Sequence, residues 1–117
     1  MRLEAAKYLF DIQHAANALA GFVAGRDLGA YLHDAMLRAA VERQFEIIGE
    51  ALSQLARRDA KLAGHIDEYR HIIAFRNILI HGYAEVDDRL VWDIVQTRLP
   101  KLRTQIDALL SSFRPES

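Results

Sequence analysis

Apolar residues recur in alternating steps of three and four along almost the whole chain. A chain with that rhythm gathers its apolar side chains on one side only when it is helical. Tyr8, Ile12, Ala15, Leu19 and Phe22 set the pattern, and Leu37, Val41, Phe45, Ile48, Leu52 and Leu55 repeat it. Leu99, Leu102, Ile106, Leu109 and Phe113 carry it to the end. No segment reads as a strand, and there is neither an internal repeat nor a low-complexity stretch. The first series predicts a helix from about Leu3 to Val23, stopped by Gly25. Asp27 is placed to cap a long second helix from about Leu28 to Arg57, bent near Gly29 or Gly49.

The polar run Arg57-Arg58-Asp59-Ala60-Lys61 reads as a linker, broken at Gly64. Asp67 is placed to cap a third helix that stops at Gly82, since glycine just past a helix end takes the left-handed conformation cheaply. Asp87 and Asp88 open a short fourth helix with Leu90, Val91, Ile94 and Val95. Pro100 falls in the first turn of a fifth, where its missing N–H does little harm. The tail at 114–117 reads as frayed. Amphipathic helices with short connections fold as an all-α antiparallel bundle, here of about five helices in one domain over residues 1–117.

The third helix constrains assembly as well. Tyr69, Ile72, Ile73, Arg76, Leu79 and Ile80 share a face, and Phe75 and Ile78 widen the apolar arc past half the circumference. A helix apolar on so wide an arc needs partners on two sides. In a small bundle the second partner is expected to be another subunit, in a two-fold homodimer.

Composition removes several function classes. At 51% apolar and 26% charged, the 117 residues suit one globular domain. A formal net charge of −1 does not announce a nucleic-acid binder, so an anionic partner must be met by a local cationic patch. The absence of cysteine removes disulfides, thiolate nucleophiles and thiolate-held zinc together. No apolar run approaches the roughly 20 residues that span a bilayer. Met1-Arg2-Leu3-Glu4 lacks a signal peptide's apolar core. The expectation is a cytoplasmic protein without membrane contact or cofactor.

Arg76 is the only charge in the third helix's apolar row, and an unpaired guanidinium there would cost several kcal/mol. His81 follows five positions later, beside Gly82 and Tyr83. Five residues are about 140° around a helix, so Arg76 and His81 do not face each other, whereas Asn77 and His81 do. Two routes would join them: the His81 side chain turning back over a frayed helix end, or convergence of both subunits in a dimer. Either gives a fixed cation, an imidazole and an amide in one cleft. That set suits phosphodiester cleavage, with histidine moving protons and arginine offering a fork of donors to phosphate. RNA carries its own nucleophile, the 2′-hydroxyl, so neither a protein nucleophile nor a metal is required. The plain alternative is a histidine complementing a helix C-terminus and an arginine snorkelling or paired with an acid.

Other titratable residues carry less. His14 lies one turn from Asp11 as an ordinary surface pair, and His33, His65 and His71 lack paired metal-ligand spacing. Glu46 and Glu50 read as a solvated face, and Trp92 as core or interface. No glycine-rich phosphate loop and no Gly-x-Ser-x-Gly occurs.

Arg76, four intervening residues, His81, one residue and Tyr83 resemble the motif of HEPN domains, specifically the HepT-like toxin group. Asn77 fits the polar residue that commonly follows the arginine. Glu46-Ile47-Ile48-Gly49-Glu50-Ala51, Val86-Asp87-Asp88 and Val91-Trp92 match the surroundings, from about Phe10 to Leu110. The resemblance implies a dimeric, metal-independent endoribonuclease toxin whose RNA-cleaving cleft lies at the subunit interface. It makes Arg76 and His81 catalytic and Asn77 supporting. It also implies an MNT-type nucleotidyltransferase antitoxin that adds AMP to Tyr83. Ala84 departs from the bulky residue frequent there, without consequence for the chemistry. The competing readings are a non-catalytic HEPN module docking beside a nucleotidyltransferase to help bind its substrate, and a purely structural dimerisation domain.

Overall fold

The computed structural model describes residues 2–82 and 86–113. They form α1 (Leu3–Val23), α2 (Leu28–Leu32), α3 (Ala35–Arg58), α4 (Ala60–Ala63), α5 (Tyr69–His81) and α6 (Asp88–Ser111), with no strand among them. Four long helices make the bundle, and α2 and α4 are short turns between them. The all-α expectation holds, and α1 has the predicted bounds. Gly25, at φ 73°, turns the chain out of α1 in the left-handed conformation.

α3 is the central element, packed against α1 on one side and α5 on the other, while α6 packs on α1. α1 and α3 run antiparallel, since Arg58 at the end of α3 meets Glu4 at 2.8 Å near the start of α1. α6 also runs antiparallel to α1: Gln13 donates to Asp107 (2.9 Å), and Arg103 to Asn17 (3.1 Å). Most positions of the stripes read from sequence form the core, while Tyr8, Leu109 and Phe113 are half-buried and Phe22 is exposed. Leu9, Ile12 and Leu19 of α1 interlock with Val41, Ile48, Leu52 and Leu55 of α3 and with Val91, Val95 and Ile106 of α6. Each large aliphatic side chain buried this fully contributes about 1.5–3 kcal/mol. Trp92 is half-buried, its ring 5.2 Å from that of Tyr31.

The long second helix expected over Leu28 to Arg57 is two helices. Asp27 caps α2 by accepting from the Ala30 N–H (2.8 Å), and Asp34 restarts the chain by accepting from the Leu37 N–H (3.0 Å). His33 Nδ1 donates to the Gly29 carbonyl at 2.8 Å, sealing the break. Gly49 lies inside α3, which continues through it, at the point where Arg76 of α5 packs against it. The expected linker after Arg57 is also helical. Asp59 accepts from the Leu62 N–H at 3.0 Å and starts α4, whose turn buries Ala63.

Asp67 does not cap α5. Lys101 of α6 holds its carboxylate at 2.7 Å, and its N–H donates to Gln105 at 3.0 Å. The N-cap is Glu68, at φ 57° with no side-chain cap, its carboxylate paired with Arg98. Gly82 ends α5 without the left-handed conformation, at φ −119°. Its value there is room, because a Cβ would sit 3.2 Å from the Ile78 carbonyl.

The expected fourth and fifth helices are one, capped by Asp87, which accepts from the Arg89 and Leu90 N–H groups at 3.0 and 3.3 Å. A proline inside a helix costs about 3 kcal/mol. Pro100 is tolerated because it sits on the exposed face, while Val91, Val95, Leu99, Leu102 and Ile106 form one buried stripe across it. No helix among the described residues is long and apolar enough to cross a membrane.

Candidate active site

Arg76 enters the interface between α5 and α3 at the one point where α3 has no side chain. A Cβ on Gly49 would lie 2.3 Å from Arg76 Cβ and 2.5 Å from its Cγ. The arginine stem therefore lies on bare α3 backbone. Its head is bound at two places: Nη2 donates to Glu50 Oε2 at 2.5 Å, and Nη1 to Asn77 Oδ1 at 2.9 Å. The side chain is 23% exposed, and its Nε is buried with no hydrogen-bond partner among the described residues. An unsatisfied buried donor costs about 1–3 kcal/mol.

Arg76 opens onto a cleft of about 280 Å³ between α1, α3 and α5. Tyr8 and Asp11 form the α1 wall, Arg43, Glu46, Glu50 and Gln54 the α3 wall, and Ile80 stands beside Arg76 on α5. Arg43 lies 3.6 Å from Glu46, so Arg43 and Arg76 each face a carboxylate. On α3, one turn before Glu46, Glu42 has its carboxyl pushed up, first by burial and then by Asp88 and Glu46. Burial likewise drives the Tyr31 hydroxyl well above the usual phenol range.

The sequence-predicted residues divide accordingly. Arg76 and Asn77 are hydrogen-bonded to one another. His81 is exposed, the last residue of α5, one helical turn beyond Asn77 and outside the lining of the cleft. α5 stays helical through His81, with the Gly82 N–H donating to the Ile78 carbonyl at 2.8 Å. A frayed end that would fold His81 back toward Arg76 is therefore not what the backbone offers. Tyr83 lies outside the described residues. His71 stands 3.5 Å from Glu68, away from the cleft. Among the described residues no three His, Asp or Glu side chains are grouped to hold a metal ion.

Glu50, read from sequence as part of a solvated face, is the acid that partners Arg76. Two signals call for such a contact without singling out Glu50. A glycine amid good helix formers costs about 1 kcal/mol against alanine and marks a close approach. A guanidinium in an apolar row demands an acid within reach.

The bundle is of the HEPN type. The chain belongs to the HepT-like ribonuclease family: the family model "Ribonuclease HepT-like" matches residues 12–109. Among its relatives is "Putative RNase MJ1380" of Methanocaldococcus jannaschii, 34% identical over 100 residues, covering 86% of this chain and 91% of that one. "Probable ribonuclease HepT" of Thermococcus cleftensis is 32% identical over 102 residues, covering 87% and 92%. No solved structure matches the chain.

Proposed function

We propose that the protein is a metal-independent endoribonuclease toxin that cleaves RNA with Arg76 and His81. The observation that carries the reading is the guanidinium of Arg76, fixed at the mouth of a cleft on the helix that ends in His81, in a chain of a ribonuclease family. The 2′-oxygen attacks the adjacent phosphorus, and the P–O5′ bond breaks. The His81 imidazole takes the 2′-hydroxyl proton and gives a proton to the departing 5′-oxygen. Arg76 donates to the non-bridging oxygens as charge builds on them. The products are a 2′,3′-cyclic phosphate and a 5′-hydroxyl.

The exposed position of His81 favours an assembly in which two subunits contribute to one cleft. Ile78 (55% exposed), one turn before His81 on the same face of α5, leaves an apolar side chain that a homodimer would cover. The same reading gives the cytoplasmic protein an MNT-type nucleotidyltransferase as antitoxin, with Tyr83 as the AMP acceptor. AMP there would set an anion next to His81 and compete with RNA phosphate.

The experiment is cleavage of a labelled RNA with EDTA present, followed by end-group analysis. Wild type yields cyclic phosphate termini, and His81→Ala loses about 10²–10⁴-fold in rate with its helical content intact. Full activity in His81→Ala, or strict need for a divalent metal, sinks the assignment. A second reading, a non-catalytic HEPN module that helps a nucleotidyltransferase bind its substrate, is favoured by the carboxylates of Asp11, Glu46 and Glu50 in the cleft. It expects binding to the nucleotidyltransferase and no cleavage by the wild-type protein.

A further inference from the structure

We infer that Glu50, seated next to Gly49, is a positioning residue that aims the Arg76 guanidinium at the scissile phosphate. The inference rests on the reading of Arg76 as the group that stabilises charge on phosphorus.

Arginine reaches its target through a long, flexible stem, so a useful guanidinium has to be immobilised before substrate arrives. Here it is fixed at three points. The stem lies on the Gly49 backbone, where any side chain would collide with Arg76 Cβ and Cγ at 2.3 and 2.5 Å. Nη2 is tied to Glu50 at 2.5 Å and Nη1 to Asn77 at 2.9 Å. Each terminal nitrogen carries two N–H groups, so one bond at each leaves a second donor at each for a phosphate oxygen. The two acceptors thus set the plane of the fork without consuming it.

Neutralising Arg76 does not by itself account for the pair. Glu50 is 50% exposed, and an ion pair with so wet a carboxylate adds little to folding. A carboxylate beside an RNA site also repels phosphate. What Glu50 does add is direction: by taking one N–H of Nη2 it sets where the remaining donors of the fork point.

The two roles open to a carboxylate here, aiming Arg76 or competing with RNA for it, predict opposite kinetics. Wild type, Arg76→Ala, Glu50→Ala, Glu50→Gln and the Arg76→Ala/Glu50→Ala pair are compared in steady-state cleavage of one labelled RNA. For a positioning residue, Glu50→Ala lowers kcat on the order of tenfold to a hundredfold, the scale of a misplaced catalytic group, with KM little changed. Glu50→Gln keeps an oxygen acceptor at the same reach and restores most of the loss. The double variant is no worse than Arg76→Ala alone, because Glu50 acts only through Arg76. An independent readout is the arginine Nε–H signal: Arg76 Nε is buried, so its proton exchanges slowly in wild type and fast in Glu50→Ala.

A lower KM with unchanged or higher kcat in Glu50→Ala makes Glu50 a competitor of RNA and overturns the inference. So does a further loss in the double variant, or full activity in Glu50→Ala beside an inactive Arg76→Ala. If Arg76→Ala cleaves like wild type, the functional reading itself falls, and the inference with it.

Discussion

Arg76 is held as a fork, and that decides which substitutions the site tolerates. Lysine would keep the charge, but it offers a point charge on a flexible stem and cannot bind Glu50, Asn77 and a phosphate in one plane. Arg76→Lys is therefore expected to fold normally and lose roughly 10²–10³-fold in RNA cleavage, the scale for removing an oxyanion donor. Circular dichroism with rate measurement checks it, and wild-type rates would show that charge alone suffices. Gly49→Ala forces a methyl into the arginine stem. It should cost about 1–3 kcal/mol in denaturant unfolding as an overpacked contact, and reduce cleavage as well. Arg76 itself was legible in the sequence as a lone charge in an apolar row. Its partner was not: Glu50 has the spacing of any solvated helix face, and only the crossing of α5 over Gly49 brings the two together.

At the scale of elements, helix faces were legible and helix ends were less so. The α3 stripe from Leu37 to Leu55 is buried throughout, because apolar period alone sets a face. The break at His33 escaped because Asp34, set among good helix formers, acts as a second cap, accepting from the Leu37 N–H and starting α3 anew. Asp67 looked like a cap until Lys101 and Gln105 of α6, distant in sequence, took its carboxylate and N–H. The opposite case is Asp87, whose side chain does cap α6. Asp87→Ala is expected to cost about 0.5–2 kcal/mol, read in urea unfolding, with no loss indicating that water replaces the cap. Glu42 gives a pH test. Its carboxyl is raised in the fold by burial and by Asp88 and Glu46, against the opposing pull of Arg38, so the native state favours its protonated form. Its stabilising contribution is present at acid pH and is lost as pH rises through the raised value. Glu42→Gln should therefore melt higher than wild type at neutral pH, with the gap closing on acidification. A gap that is constant with pH would assign the effect to packing.

For the whole molecule, the question is how two groups on opposite sides of one helix serve one reaction. Arg76 opens onto the α1–α3–α5 cleft, His81 is exposed at the end of α5, and α5 keeps its helical form between them. On our reading, a two-fold axis near α5 solves this by bringing His81 of one subunit toward Arg76 of the other. Apolar Ile78 lies one turn before His81 on the same exposed face, so burying it and bringing His81 to the partner become one event. Ile78→Glu, at 55% exposure, should leave the monomer fold intact, shift sedimentation to monomer and abolish cleavage together. A sharper test mixes two inactive proteins. Arg76→Ala and His81→Ala are unfolded together and refolded in equal amounts, so about half of the dimers are hybrids. In a hybrid with composite sites, one site draws an intact Arg76 from one subunit and an intact His81 from the other. About a quarter of wild-type activity then returns, since half of the dimers carry one of two sites. If each chain builds its site alone, every site in the hybrid lacks one group and nothing returns, which would discard the shared cleft even if the protein proves dimeric.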